Sequence, residues 1–384
     1  MSGETTVYIG LGSNLGDREK NLNKALGLLA ADRHINLFRT SSITETKPLA
    51  DNPPSLPPSL KLRRTRKLRR TGKQRDYLNR VAEIRTTLKA DKLLKVLKKI
   101  ESAMGRKKLV EKWSSRTIDL DILLFGNKKV RKKDLCLPHR QMHLRSFVLK
   151  GLCELDGEIV HPVLKESVSV LYSRLSGKDF YFDDDRPQLV SIAGVIGAGK
   201  TTLAEGLRDL FGLRLIKESY DSNPFLPKVY AGQKSVALDS QLYFLLSRCE
   251  QLRPDSFPPG SVAVSDYIMD KEMLYARIWL DSVQFEIYRK VNAAMCKTAA
   301  EPVITVYIKL PPKKCLERIK QRSRPYEQDI DLSFLEKLHI GYEKLFETFN
   351  CCPVITIDAE AVDFRQTQQI EAIGEKINYY IGRD

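Results

Sequence analysis

Gly194-Val195-Ile196-Gly197-Ala198-Gly199-Lys200-Thr201 is a complete G-x-x-x-x-G-K-[ST] run, and no other stretch constrains the fold as strongly. Such a loop needs a strand to deliver it and a helix whose N-terminus faces the same anion, because its backbone N–H groups must converge on phosphate oxygens. The flanks agree. Leu189 to Ala193 is rich in β-branched residues, and a helical pattern opens at Thr201. Lys200 would reach the outer phosphates and Thr201 would offer its hydroxyl to Mg2+, while Gly194, Gly197, Gly199 and Thr202 would line the ATP site. Strand patterns at 213–217, 262–265, 303–309 and 354–358 alternate with helical ones, which predicts an α/β domain with a parallel sheet flanked by helices.

Nearly as much chain precedes the loop as follows it, and 384 residues suffice for two domains. Asp183-Asp184-Asp185-Arg186-Pro187 reads as a polar break, so the boundaries expected are 1–177, a linker over 178–187, and 188–384. The first part shows strand patterns at 7–12, 81–87 and 117–125 and helical ones at 21–31 and 90–104, an α+β arrangement. Asp119 and Asp121 stand two apart on a strand pattern and therefore share a face. Paired carboxylates suit Mg2+, which takes few protein ligands and completes its shell with water and phosphate. The same spacing also suits a solvated polar strand face.

Composition narrows the class. No apolar run approaches the length of a membrane helix, and seven scattered cysteines form no metal spacing, which favours a reducing cytoplasm. The net charge of +16 is local: nine of the positive charges lie between Lys61 and Arg75, with no acid among them. This basic stretch follows a proline-rich one, so residues 51–75 read as a loop inserted in the first domain, and nucleic acid is not an expected partner.

After the P-loop come Glu218, Asn223-Pro224-Phe225, Tyr230, Gln241, Arg248 and the run Leu316 to Glu327. This set resembles the deoxynucleoside kinase family across 188–384. The resemblance implies Glu218 as base toward the nucleoside 5′-hydroxyl, Gln241 and Arg248 on the nucleobase, and Tyr230 and Glu327 on the 3′-hydroxyl. It implies Arg318, Arg322 and Arg324 as lid arginines over the phosphates, and Asp266 in the substrate site. Where the family has an acid-Arg-Ser run, this chain has Ser265-Asp266-Tyr267, with Lys271 one helical turn on to supply the missing charge. The substrate implied is a purine deoxynucleoside, deoxyadenosine first and deoxyguanosine second, and a homodimer through this domain.

The first part carries Gly10-Leu11-Gly12-Ser13-Asn14-Leu15-Gly16-Asp17, Asp76-Tyr77-Leu78-Asn79, Arg116 to Gly126, Leu137-Pro138-His139 and Arg145-Ser146-Phe147. In that order they resemble hydroxymethyldihydropterin pyrophosphokinase, over residues 5 to about 175. The resemblance implies a ferredoxin-like α+β fold and diphosphate transfer from ATP to the pterin hydroxymethyl group. Asp119 and Asp121 would hold Mg2+, Arg106 and Arg116 would act on the phosphates, and Glu101, His139 and Arg145 would face ATP. Thr46, Leu49, Tyr77, Asn79 and Phe147 would form the pterin site, and Trp113 would lie on a closing loop. A Gln of the family's ATP site is Lys98 here. The alternative is an active nucleoside kinase whose first domain serves as a scaffold.

Overall fold

The computed structural model describes residues 3–48, 75–105, 115–181, 187–258 and 260–383 and divides into Met1–Tyr181 and Phe182–Asp384. Leu49, Arg106, Trp113 and the basic segment up to Gln74 lie outside the described residues.

The first unit runs β1 (Thr5–Ser13), α1 (Arg18–Ala30), β2 (Ile35–Thr40), β3 (Thr44–Thr46), β4 (Tyr77–Thr86), α2 (Ala90–Ala103) and β5 (Asp119–Phe125). A hairpin of β6 (Val130–Arg131) and β7 (Cys136–Leu137) follows, then α3 (Ser146–Asp156) and α4 (Val168–Ser173). The antiparallel sheet has the order β2-β4-β1-β5, with β3 also on β4, which is the βαββαβ arrangement of a ferredoxin-like sandwich. Leu22, Ala25 and Leu29 of α1 and Leu93, Leu97 and Ile100 of α2 recur at helical spacing. They pack on Val7, Ile9 and Leu11, which alternate along β1, and on Leu120 and Ile122 of β5. Alternation therefore sends Gly10, Gly12, Asp119 and Asp121 to the opposite face. There α3 lies close on β4: a Cβ on Gly151 would come 2.6 Å from a Val81 methyl. The segment after α4 stays with this unit, since Phe180 N–H donates to the Leu144 carbonyl at 2.7 Å.

The second unit runs β8 (Gln188–Ala193), α5 (Lys200–Phe211), β9 (Arg214–Ile216), α6 (Leu226–Tyr230), α7 (Ala237–Gln251), β10 (Val262–Ser265), α8 (Glu272–Trp279) and α9 (Ser282–Met295). It ends with β11 (Ile304–Lys309), α10 (Pro312–Arg322), α11 (Leu332–Thr348), β12 (Val354–Asp358) and α12 (Thr367–Tyr380). The strands are parallel in the order β12-β11-β8-β10-β9. Every residue of β8 is buried, as a central parallel strand demands. Its neighbours β10 and β11 are reached in opposite directions, so a crevice opens at its carboxyl end, where the Gly-rich loop begins. Among the described residues no helix is long and apolar enough to cross a membrane.

Candidate active sites

Close contact dictates the glycines of the loop. Gly194 has φ +148, and a Cβ there would sit 2.7 Å from the Ile308 carbonyl oxygen. At Gly197, φ is +85 and the Cβ would sit 2.6 Å from the Cys315 carbonyl oxygen. Gly199 forms the N-cap of α5, and Lys200, Thr201 and Thr202 make its first turn. Lys200 Nζ lies against the loop's own Val195 carbonyl at 3.0 Å. Burial pulls the Lys200 ammonium pKa down, and Glu218 and Asp266 oppose that pull.

Asp266 ties the loop to the next strand. One oxygen accepts from the Thr201 hydroxyl at 2.7 Å and the other from the Glu218 backbone N–H at 2.8 Å. A substrate contact was expected of Asp266. Both oxygens instead serve protein groups, because the residue is buried at the end of β10 between α5 and the chain leaving β9.

The Glu218 carboxylate is gripped by two cations. Lys271 Nζ lies 2.5 and 2.6 Å from its oxygens, and Arg248 Nη2 donates to Oε1. Burial alone would raise this carboxyl; Arg248 and Lys271 overcome it and hold Glu218 at about 2. Arg248 also donates to Glu272, which accepts from the Tyr288 hydroxyl. Two carboxylates and two cations thus balance in a buried cluster. Arg248, expected on the nucleobase, has both Nη atoms committed here; among the described residues its buried Nε has no partner. Tyr267, standing where the resemblance leads one to expect Arg, is fully buried with its hydroxyl on Gln251 at 2.7 Å. Its ring underlies both Arg248 and Lys271.

Beside this cluster three aromatic rings pack together. Tyr230, Trp279 and Phe334 meet with ring centroids 4.9–6.2 Å apart. Burial and the nearby Tyr275, Glu327 and Glu218 raise the Tyr230 hydroxyl pKa. Gln241 is 4% exposed, and among the described residues its amide makes no hydrogen bond. Asn223 shapes the approach by accepting from Phe225 N–H and donating to Ser240.

The three arginines expected to act together divide their contacts. Arg318 donates to the Ala198 and Ala359 carbonyls, bracing the loop. Arg322 pairs with both oxygens of Glu327 at 2.6 Å. Arg324 donates to the Tyr220 hydroxyl, lies over its ring and stands 3.5 Å from the same Glu327. α10 ends at Arg322, and Ser323 at φ +52 redirects the chain before Arg324.

In the first unit, register places Gly12 between Asn79 and Asp119, and Gly10 beside Asp121. The missing side chain at Gly12 makes room for the Asn79 amide oxygen, which a Cβ would meet at 3.3 Å, while the Leu123 side chain packs over Gly10. Arg116 donates to Asp119. His139 Nε2 lies 3.8 Å from Asp121, and burial pulls its pKa down against that carboxylate. Among the described residues the buried Nε atoms of Arg116 and Arg145 have no hydrogen-bond partner. Asn79 donates to Thr46 Oγ1 at 2.9 Å across β3 and β4, and Tyr77 pairs with Thr46 in the same ladder. Tyr77 and Phe147 are half-buried, and burial raises the Tyr77 hydroxyl pKa. Glu101, expected at ATP, is buried: it accepts from Leu120 N–H at 2.8 Å and from Lys98 Nζ at 2.9 Å, so it braces β5 between the two aspartates. Sequence reasoning gave no role to Asn14, whose buried amide oxygen accepts from Arg116 N–H at 2.7 Å. The signal was present in Gly12-Ser13-Asn14. It also missed Glu272, which no spacing connects to Arg248.

Residues 190–381 match the family model for deoxynucleoside kinase, and 8–157 that for 7,8-dihydro-6-hydroxymethylpterin-pyrophosphokinase. A deoxyguanosine kinase of Bacillus subtilis is 35% identical over 182 residues, covering 46% of this chain and 88% of the relative. A 2-amino-4-hydroxy-6-hydroxymethyldihydropteridine pyrophosphokinase of Haemophilus influenzae is 38% identical over 157 residues, covering 41% and 85%. The chain belongs to both families. It is a fusion of a pterin pyrophosphokinase unit with a nucleoside kinase unit, and both families are transferases. A deoxyadenosine/deoxycytidine kinase of Bacillus subtilis is also similar to the nucleoside kinase unit, 28% identical over 197 residues, 49% of this chain and 91% of the relative.

Proposed function

We propose that the pyrophosphokinase unit carries the β,γ-diphosphate of ATP to 6-hydroxymethyl-7,8-dihydropterin and releases AMP. We propose that the nucleoside kinase unit phosphorylates the 5′-hydroxyl of a purine deoxynucleoside with ATP. In the first unit the supporting observation is the convergence of Asp119, Asp121, Arg116 and His139. Two oxygen ligands two apart fit Mg2+, which when bound would neutralise triphosphate charge. The unpartnered donors of Arg116 and Arg145 suit phosphate oxygens. Asn79 and Thr46 would hold the pterin edge, with Tyr77 and Phe147 against the ring. Glu101 acts indirectly, by fixing Leu120.

In the second unit the supporting observation is Glu218 beside the phosphate loop, held ionised by Lys271 and Arg248. It would accept the 5′-hydroxyl proton as the phosphoryl group moves. The Thr201 hydroxyl and the Asp266 carboxylate offer oxygens suited to Mg2+ at the same loop. The Gln241 amide offers a donor and an acceptor to a base edge. The Nε–H of Arg248 offers one further donor toward a base edge. Exposed Leu246, Val283 and Ile287 lie on α7 and α9, which pack together, and suit a homodimer face. Seven free thiols fit the cytoplasm.

The test is nucleotide release from ATP by the full chain. AMP is expected only with the pterin, and ADP with deoxyadenosine above deoxyguanosine. ADP without AMP reduces the first unit to a scaffold. AMP without ADP from any deoxynucleoside overturns the second assignment. Sedimentation of wild type and Val283→Glu tests the dimer, which the substitution should dissociate.

A further inference from the structure

The carboxylate at the start of α3 comes from outside the helix. Arg145 occupies the N-cap position, and its side chain makes no capping bond. The first N–H groups of a helix have no partner within it. Here those of Ser146 and Phe147 are directed at Asp179, with Phe147 N 3.4 Å from Oδ1. A carboxylate at a helix N-terminus also meets the positive end of the helix dipole. The following residue locks the arrangement, since Phe180 N–H bonds the Leu144 carbonyl. Asp179 and Phe180 thereby hold both ends of the turn that presents Arg145 and Phe147. Burial raises the Asp179 carboxyl pKa, and the two N–H groups and the Arg145 charge hold it down. Neither family match reaches this position: one ends at residue 157 and the other begins at 190, while the first unit extends to Tyr181.

We infer that Asp179 is a positioning residue of the pyrophosphokinase site, whose carboxylate fixes the first turn of α3 and so aims Phe147 at the pterin and Arg145 at the phosphates. The inference rests on the pyrophosphokinase reading above. It has a second consequence for the site. An unoccupied helix N-terminus beside Arg145 would itself attract phosphate. With Asp179 filling that position, the guanidinium is left as the anion-binding group at this corner.

Asp179→Ala and Asp179→Asn in the full chain separate the roles. The Asn amide oxygen still accepts backbone N–H bonds, whereas Ala leaves them open. Loss of such a cap is expected to raise the pterin KM roughly fivefold to tenfold in Asp179→Ala. Asp179→Asn should stay within twofold of wild type. ADP formation from deoxynucleoside should be unchanged in both, which reports on the integrity of the chain. An unchanged pterin KM in Asp179→Ala overturns the inference, including the case where kcat falls only with the folded fraction. Hydrogen exchange at residues 145–149 reads the turn without chemistry. It should accelerate in Asp179→Ala and not in Asp179→Asn, and equal rates in all three proteins overturn the inference. Absence of AMP formation by wild type would instead sink the pyrophosphokinase reading, leaving the exchange result to decide on Asp179.

Discussion

Lys271→Met removes one charge from a cluster whose balance can be counted. Glu218 and Glu272 face Arg248 and Lys271, all buried or nearly so. Methionine keeps most of the stem and leaves one cation to serve two carboxylates. Breaking a buried pair from one side costs about 3–5 kcal/mol, because the remaining charge is stranded. A second route gives a similar size. Glu218 sits at about 2 instead of 4.5, which corresponds to roughly 3 kcal/mol of preference for its ionised form. Arg248 shares that effect, so the lower end applies to the stability lost with Lys271, and kcat/KM for the deoxynucleoside should fall roughly tenfold or more because Glu218 loses a donor that positions it. A depressed carboxyl pKa stabilises the fold above its ordinary value of 4.5, and that contribution is lost as pH falls toward 2. Lys271→Met should therefore shift acid unfolding of the nucleoside kinase unit to higher pH. The assay is ADP release with deoxyadenosine or deoxyguanosine, with pterin-dependent AMP release as the reference within the same chain. Glu218→Gln with Lys271→Met removes both charges, and its second unit should melt above that of Lys271→Met alone. A Lys271→Met protein within threefold of wild-type ADP formation, with an unchanged melt, would refute the reasoning.

Three further outcomes are expected. Asp121→Asn should lower pterin-dependent AMP formation at least a hundredfold and leave ADP formation intact; equal losses in both would show a general folding defect. Gly197→Ala should destabilise the nucleoside kinase unit by roughly 2 kcal/mol or more, because a Cβ meets the Cys315 carbonyl oxygen at a φ of +85; calorimetry showing no shift would contradict the loop geometry. Burial and Arg248 pull Lys271 down to about 7, so ADP formation should decline as pH rises through that value and Glu218 loses its ammonium partner. Stability should rise over the same window, since the unfolded chain then binds more protons, and Lys271→Met should lack the declining limb.

Much of the architecture was legible because each unit obeys a simple period. The strands β8, β10, β11 and β12 read as short apolar, β-branched runs, and Leu93, Leu97 and Ile100 mark one face of α2. β2 escaped because its register shifts between Leu37 and Arg39, which breaks the alternation that would reveal a strand. Contacts that depend on tertiary folding were less visible. The resemblance could suggest Lys271 as a replacement charge, but not that Tyr267 would lie beneath it with its hydroxyl on Gln251. Nor could it foresee that Arg322 and Arg324 would both stand at Glu327 while Arg318 braces the Gly-rich loop. Glu101 misled because a buried acid that braces a neighbouring strand has no signature distinct from one that faces a ligand.

The two sheets also set different timetables for a chain that emerges from its N-terminus. The antiparallel sheet of the first unit is complete once β5 ends at Phe125. In the second unit β8 is made first yet lies at the centre, and its partners begin only at Val262 and Ile304. A fully buried strand of the nucleoside kinase is thus synthesised long before anything can cover it, a state prone to misassociation. Placing the pyrophosphokinase upstream means that each nascent chain already carries a finished, charged domain while β8 waits. The order of the fusion therefore gives the slower-closing sheet a folded companion throughout its exposure.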